Sequence, residues 1–445
     1  MMRFITDSND LSLFLGQPVK KNLKIKGISI DTRTIKKEYL FIAIKGEVLD
    51  GNDYIYEAIK KGASLVITDR LEYKDHKNKK IIYVNNSLIA LKKISKNILK
   101  TYKGNIIAIT GSNGKTTTTK IVSNTLTKSS STIKNFNNEI GMPLSIFQAN
   151  KKSKNLVIEM GAAKSGDINY LSSILKPDIG IITNIGNSHL ENLKNINGVL
   201  KVKSELIPNI KKGGYLIVPN DNLSYLQFWK QQCNDVHLIT FGKNKNGDFY
   251  PENIKSSIEK LEFNIISKKF DVNFKVKSFL SGDHNMKNIM AAFAVSFLLK
   301  ESLEKFNKRL NKNSIVRQKQ TKWLKKSLLI DDSYNANPDS VKKAIDLLSS
   351  SNKRKILILG DMLELGRFRK LLHKDVGKYA RLKKVDIFLG FGDLTKYAIQ
   401  SFGKNGFFFK DEDDLRDFLK LNIKRSDVVL LKGSRGMRME RFINV

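Results

Sequence analysis

The feature that most constrains this chain is an apolar run opening directly onto a glycine loop. Ile106-Ile107-Ala108-Ile109 leads into Thr110-Gly111-Ser112-Asn113-Gly114-Lys115-Thr116-Thr117, and a helix-like run through Ile121, Val122, Thr125 and Leu126 follows. A short apolar run bounded by turn residues reads as a buried strand, and strand, glycine loop and helix in that order open a parallel α/β unit. The glycines let backbone N–H groups approach phosphate oxygens, and the helix N-terminus adds positive potential. Lys115 can reach terminal phosphates and the Thr116 hydroxyl can ligate Mg²⁺. Ile109 stands where the general phosphate-loop pattern has its first glycine, so the loop is a variant of that pattern. Gly111, Ser112, Asn113, Gly114, Lys115, Thr116 and Thr117 are the candidate nucleotide-binding residues.

The same alternation of strand and helix extends in both directions. Upstream, Ile28-Ser29-Ile30, Leu40 to Ile44, Leu65-Val66-Ile67 and Ile81 to Val84 read as strands, with a helical piece near Ile55 to Lys61. Downstream, Leu156-Val157-Ile158 and Ile179 to Ile182 flank the helical stretch Ile168 to Leu175. Beyond a Lys-rich seam near 305 to 315 come strands at Leu328 to Ile330, Ile356 to Leu359, Ile387 to Leu389 and Val428 to Leu431. The first two of these are joined by a helix with Asn337 as N-cap, Pro338 at its first position, and Val341, Ala344, Ile345 and Leu348 on one face. A chain of 445 residues exceeds one ordinary core, and 41% hydrophobic content suffices for several. The expectation is an α/β protein of three domains, 1–85, 86–312 and 313–445, the second built on a parallel sheet and the third Rossmann-like.

Three polar features fall at strand ends, where parallel sheets bind ligands. Glu159 follows Leu156-Val157-Ile158, His189 follows the strand around Ile182, and Asp331-Asp332 follow Ile330. Taken alone, each of Glu159 and His189 reads as an ordinary surface or strand-end polar residue rather than as a ligand. Helix capping accounts for Asn337, Pro338 and Asp339 but not for two adjacent aspartates. Lys203, in Lys201-Val202-Lys203-Ser204-Glu205-Leu206, reads by itself as a solvated helix lysine.

The net charge is +36, with 79 Lys plus Arg against 43 Asp plus Glu. Such an excess raises nucleic acid or a membrane surface as partner. The lysines are spread along the whole chain among abundant Asn and Ile, the pattern of compositional drift, so neither partner is expected. The start, Met1 to Ser8, carries no apolar core of a signal segment, and no uninterrupted apolar window of about 18 residues occurs. With a single cysteine, Cys233, there is no internal disulfide. A cytoplasmic protein is expected.

Taken together, these segments resemble the Mur ligases in order and spacing over essentially the whole chain. The resemblance is carried by Thr110 to Thr117, Asn135-Phe136-Asn137-Asn138-Glu139-Ile140-Gly141-Met142-Pro143, Glu159-Met160-Gly161 and Asn187-Ser188-His189-Leu190-Glu191. Further on it is carried by Gly282-Asp283-His284-Asn285 with Asn288, Asp331 to Ser340, and Lys432-Gly433-Ser434-Arg435. Asp331 to Pro338 and Gly360-Asp361-Met362-Leu363-Glu364-Leu365-Gly366 are similar to signatures of the members that add D-alanyl-D-alanine. The Asp-Tyr-Ala-His and Asp-Asn-Pro-Arg segments of the members that add diaminopimelate or lysine are absent.

The resemblance implies a small N-terminal α/β domain holding a UDP-sugar, a central P-loop parallel-sheet ATPase domain, and a C-terminal Rossmann-like domain closing over both. It implies ATP and Mg²⁺ as cofactors, UDP-N-acetylmuramoyl-tripeptide and D-alanyl-D-alanine as substrates, and a monomer. By the same resemblance Lys115 binds terminal phosphates, Thr116 and Glu159 one Mg²⁺, and His189 with a carbamylated Lys203 a second, which makes Lys115, Lys203 and His189 the catalytic candidates. Asn285 and Asn288 would lie near adenine or ribose, and Arg317 and Asp332 would reach ATP from the third domain. Ser29, Asp31, Thr32, Arg33, Lys45 and Gly46 match the UDP-binding segment, although Asn52 stands where the family has His after Asp50-Gly51. Two rival readings remain: a folylpolyglutamate-type ligase, which lacks the N-terminal sugar domain matched by residues 25 to 67, and a basic RNA-binding P-loop protein.

Overall fold

The computed structural model describes residues 5–19, 22–46, 48–257, 260–312 and 319–445, whose strands form four sheets. The first is β1 (Gly27–Ser29), β2 (Tyr39–Ile42), β3 (Leu65–Thr68) and β4 (Ile81–Tyr83), adjacent in that order and parallel throughout. Alternate side chains leave a strand on opposite faces. Leu40, Ile42, Leu65 and Ile67 therefore pack with Leu11, Leu91 and Ile94 from helices Ser8–Leu15 and Ser87–Lys100, while Phe41 and Val66 pack with Ile55, Ala58 and Tyr73 on the other side. A sheet covered on both faces has no polar positions to alternate, which is why these strands read as continuous apolar runs.

The second sheet contains β5 (Asn105–Thr110), β6 (Ser129–Ser131), β7 (Asn155–Glu159), β8 (Ile179–Ile182), β9 (Tyr215–Pro219) and β10 (His237–Phe241). All six are parallel, in the order β10-β9-β8-β5-β7-β6. After β7 the chain crosses over β5 to build the other half of the sheet, so connections leave the carboxyl ends of β5, β7 and β8 in diverging directions. Crevices at such reversals are where open α/β sheets bind ligands. Ile106 and Ala108 join the core shared with the first sheet, and Ile107 and Ile109 face helix Asp283–Leu298.

A third sheet lay outside the sequence expectation. β11 (Tyr250–Ser256), β12 (Leu261–Ser267) and β13 (Val272–Ser278) form an antiparallel meander against that same helix. Its signal was present, since Leu261, Phe263 and Ile265 are buried and Glu262 and Asn264 between them are not.

The fourth sheet has the order β14-β15-β19-β16-β17-β18, from β14 (Lys319–Lys322), β15 (Leu328–Asp332), β16 (Lys355–Gly360), β17 (Ile387–Phe391), β18 (Gly406–Phe409) and β19 (Val428–Lys432). Only β14 runs antiparallel, against β15. Helix Pro338–Ser349 begins where expected, with a reciprocal capping box between Asn337 and Ser340, and buries Val341, Ala344, Ile345 and Leu348. A cap of this kind stabilises a helix by about 1 kcal/mol. No helix among the described residues is long and apolar enough to cross a membrane. Cys233 is half-buried, its thiol pushed up to about 11 by burial.

Candidate active site

The connections leaving β5, β7 and β8 meet in a cleft of about 1080 Å³ between the central and C-terminal domains. The glycine loop forms its floor and depends on its glycines. Gly111 has φ 141°, and a Cβ there would lie 2.0 Å from Thr183 Oγ1; Gly114 has φ 80°, and a Cβ would lie 2.6 Å from Asn288 Oδ1. The segment after β8 and helix Asp283–Leu298 thus press directly on the loop.

Several loop groups are consumed by this packing. The Ser112 hydroxyl donates to Gly186 O (3.0 Å) and accepts from Gly186 N–H and Ser188 Oγ (both 3.0 Å), while Ser112 N–H donates to Asn184 O at 3.0 Å. Asn113 N–H donates to Asn184 Oδ1 at 3.1 Å. Ser112 therefore shapes the loop. The anion-binding end is the first turn of helix Lys115–Thr125, whose amides point along the axis into the cleft. Lys115 Nζ folds back onto Gly111 O (2.7 Å) and Ser112 O (3.2 Å), holding a cation beside that turn.

Glu159 ends β7 and is 3% exposed. Its Oε1 accepts from Asn137 Nδ2 at 2.7 Å, and its buried Oε2 has no hydrogen-bond partner. A desolvated carboxylate oxygen without a partner is costly, so its surroundings fit a cation. Thr116 lines the same cleft and offers a hydroxyl of the right chemistry. His189 lines it too, and its Nδ1 lies 2.8 Å from Glu364 Oε2, a hydrogen bond that holds the Glu364 carboxyl below its ordinary range. Among the described residues no three His, Cys, Asp or Glu side chains cluster as a ready-made metal site. Cations would have to be held by single carboxylates together with hydroxyl, imidazole and substrate oxygens.

Lys203 is not the solvated lysine that its local pattern suggests. It is 1% exposed on helix Ile196–Ser204, with Val202 and Ser204 buried beside it, whereas Lys201 is exposed. Burial, followed by the charge of Lys115, pulls its amine down to about 7, against weaker opposing pulls from Asp167 and Glu205. It sits behind the cleft wall rather than among the residues that line it.

Asn285 and Asn288 are buried on helix Asp283–Leu298, with Asn285 Nδ2 donating to Ser281 O (2.8 Å) and Asn288 Nδ2 to Asn285 Oδ1 (3.3 Å). Opposite them, Asp332 ends β15 and accepts from Lys432 Nζ at 2.6 Å; the same amine donates to Asn335 O at 2.9 Å. Arg317 lies outside the described residues. Ser29, Asp31, Thr32, Arg33, Lys45 and Gly46 belong to the N-terminal domain and do not line this cleft, whose rim on that side is Asn86, Leu88 and Ile89 at the start of helix Ser87–Lys100. Three of them are joined: Arg33 pairs with Asp31 at 2.7 Å and holds its carboxyl below the usual range, and Ser29 Oγ accepts from Asp31 N–H at 3.0 Å. Asn52, in the same domain, is buried and tied to Asp50 and Thr68, Nδ2 donating to Asp50 Oδ1 (2.8 Å) and Oδ1 accepting from Thr68 Oγ1 (2.6 Å).

Other groups in the cleft carry no role assigned from the sequence. Asn137 holds Glu159, and His284 and Lys343 line the far wall. His284 is pulled down to about 4 by desolvation and then by Lys343, and Lys343 is itself lowered by burial and then by Lys287. Asn137 lay in the polar run before helix Gly141–Phe147, but nothing in one sequence pairs it with Glu159. The central and C-terminal domains are also clasped: Asn337 Nδ2 donates to Asn113 Oδ1 (2.8 Å), Asn113 Nδ2 to Asn337 Oδ1 (3.3 Å), and Asn187 N–H to Asp339 Oδ2 (2.6 Å).

Three family models match the chain in succession: the Mur ligase family catalytic domain over residues 24–101, the Mur ligase middle domain over 109–296, and the Mur ligase glutamate ligase domain over 317–435. The UDP-N-acetylmuramoyl-tripeptide--D-alanyl-D-alanine ligase of Bacillus subtilis is 32% identical, over 96% of this chain and 94% of its own. The chain belongs to the Mur ligase family. The ligase of the same name from Buchnera aphidicola (Acyrthosiphon pisum) is 35% identical over 95% of this Mur ligase and 93% of its own length. Among solved structures, MurF from Acinetobacter baumannii superimposes with a TM-score of 0.90 at 26% identity, covering 98% of each chain. MurF ligase from Thermotoga maritima in complex with ADP does so at 0.85 and 28%, covering 96% of this Mur ligase and 98% of its own chain.

Proposed function

We propose that this Mur ligase joins D-alanyl-D-alanine to UDP-N-acetylmuramoyl-tripeptide at the expense of ATP, giving the UDP-muramoyl-pentapeptide precursor of peptidoglycan. The reading is supported by the names of its relatives. The observation that carries it on this chain is the meeting, in one cleft between domains, of the glycine loop, the unpartnered carboxylate oxygen of Glu159 and the Asp332–Lys432 pair.

A carboxylate is a poor acyl donor, so the tripeptide's terminal carboxylate first takes the γ-phosphoryl group, forming an O–P bond as the bond to ADP breaks. The first turn of helix Lys115–Thr125 and the Lys115 ammonium offset the charge of the transferring group. Thr116 and Glu159 would hold one Mg²⁺, and His189 with Lys203 a second, the metals neutralising phosphate charge when bound. For Lys203 to serve, its neutral amine must add CO₂ and lose a proton, becoming an anionic carbamate. The low-lying amine described above favours the form that reacts.

The amine of D-alanyl-D-alanine then adds to the acyl carbon, the tetrahedral species expels phosphate, and the amine's surplus proton leaves. Asn285 and Asn288 are assigned to the adenine or ribose, Asp332 and Arg317 to ATP from the C-terminal side, and Ser29, Asp31, Thr32, Arg33, Lys45 and Gly46 to the UDP moiety. The clasp through Asn113, Asn337 and Asp339 would keep water from the acyl phosphate. The domain limits 1–85, 86–312 and 313–445, cytoplasmic location and action as a monomer belong to the same proposal. Tripeptide labelled with ¹⁸O in its terminal carboxylate tests the chemistry: one labelled oxygen should appear in the released phosphate, and unlabelled phosphate would exclude the acyl-phosphate route.

A further inference from the structure

Glu364 and His189 meet across the boundary between the C-terminal and central domains. Glu364 lies in the loop that leaves β16, and His189 precedes the short helix Leu190–Leu193 beyond β8. Both hold left-handed backbones, φ 61° and 51°. Non-glycine residues adopt that region at a cost, and two of them facing each other across a domain boundary point to a required geometry.

The loop that presents Glu364 is braced on several sides. Met362 N–H donates to His373 Nε2 (3.1 Å), and His373 Nδ1 bonds Arg369 O (2.7 Å), which fixes the proton of that buried imidazole on Nδ1. Leu363 N–H donates to Ser434 Oγ (2.8 Å), and the Asp361 carboxylate accepts from Leu394 and Thr395 N–H (2.9 and 2.8 Å). Gly366 packs on the backbone of Glu191, where a Cβ would come within 3.1 Å of its Cα. Glu364 is thus delivered by a rigid loop that also touches the residues just after His189.

We infer that Glu364 is a positioning residue: when the C-terminal domain closes, its carboxylate accepts the Nδ1–H of His189 and leaves Nε2 as the lone-pair nitrogen available to a cation. The inference rests on the reading of His189 as a cation ligand. An imidazole has two ring nitrogens, and the partner of one decides which remains basic. A carboxylate on the remote nitrogen also makes the ligating nitrogen a stronger donor. Because Glu364 belongs to a different domain from His189, cation binding and closure are coupled, and each must favour the other by the same factor.

Mn²⁺ is the probe, titrated by calorimetry into the full-length chain with saturating ADP. Glu364→Ala should weaken Mn²⁺ about 10- to 100-fold, as loss of an outer-sphere partner does. Glu364→Gln, which keeps an acceptor oxygen, should fall between Ala and wild type. ADP affinity measured in EDTA should not change in either variant, a result that a general distortion of the cleft would not give. If His189→Ala loses Mn²⁺ while both Glu364 variants bind it like wild type, the positioning role is overturned and the ligand reading stands. If His189→Ala binds Mn²⁺ like wild type, the ligand reading itself fails and takes the inference with it.

Discussion

Two lysines are buried among the described residues, and their surroundings treat them differently. Lys432 meets the Asp332 carboxylate at 2.6 Å, a direct counter-charge. Lys203 is answered only by burial and by the like charge of Lys115, with Asp167 and Glu205 acting weakly against both. An ammonium enclosed without a close counter-charge is costly, and conversion to an anionic carbamate facing a divalent cation removes that cost. Lys203→Ala should therefore lower ligation by roughly two to three orders of magnitude, the scale of losing one electrostatic element of a transition-state site. Lys201→Ala, on the exposed side of the same helix, should leave the rate within about twofold, as surface changes usually do. Short-chain carboxylic acids should partly restore Lys203→Ala by supplying the missing carboxylate. Equal rates in the two variants, with no rescue, would return Lys203 to a structural role. Lys115→Ala should abolish turnover while the protein still melts cooperatively, because its ammonium bonds two loop carbonyls beside the phosphate-binding turn and belongs to no apolar core.

At the scale of elements, helix Pro338–Ser349 joins two tasks at one residue. Asn337 caps the helix through Oδ1, which accepts from Ser340 N–H at 2.9 Å, and its amide also meets Asn113 in the glycine loop. Asn337→Asp keeps a capping oxygen but cannot donate to Asn113 Oδ1. It should hold the melting temperature while raising KM for ATP up to about tenfold, the value of one hydrogen bond. Asn337→Ala should lose both, with an added stability loss of about 1 kcal/mol. A KM unchanged in Asn337→Asp would mean that the contact with Asn113 is incidental. The loop after β16 makes a separate prediction through His373, which is buried and neutral with its pKa lowered by desolvation. A base whose folded pKa lies below its unfolded value binds fewer protons when folded. Stability is therefore complete above the unfolded value of about 6.5 and falls as pH drops from there toward the folded pKa. Chemical denaturation between pH 7 and 5 should show this decline, and His373→Gln, which can keep both hydrogen bonds without titrating, should flatten it. An equal decline in the variant would place its origin elsewhere.

For the whole molecule, what could be read in advance follows from where each signal lies. The strands β2, β3, β5, β7, β8, β15, β16, β17 and β19 announce themselves because both of their faces are covered by apolar packing. β6, the serine strand Ser129–Ser131, has no apolar signal, being held by pairing with β7. The antiparallel meander lies among βαβ units, and its alternating strands carry a weaker signal than the continuous apolar runs around them. Asn337 was legible as a cap, since capping is local. Its contact with Asn113, the hold of Asn137 on Glu159 and the meeting of Glu364 with His189 join residues far apart in the chain, and one sequence does not pair them. Burial of Lys203 was invisible for the same reason: the charge pattern of helix Ile196–Ser204 says nothing of what packs over it.

The cleft takes its nucleotide-binding floor from the central domain, its opposite wall from the C-terminal domain, and a rim at Asn86, Leu88 and Ile89 from the start of helix Ser87–Lys100, which follows the first domain. Such a division suits a reaction in which neither substrate nor acyl phosphate should meet water before both partners are in place. The most direct measurement is therefore phosphate release from ATP by the full-length chain, with UDP-N-acetylmuramoyl-tripeptide and D-alanyl-D-alanine supplied separately and together. Sustained release only when both are present, with one phosphate for each UDP-muramoyl-pentapeptide formed, is the predicted result; turnover that ignores the dipeptide, or none with both substrates at saturation, would contradict it.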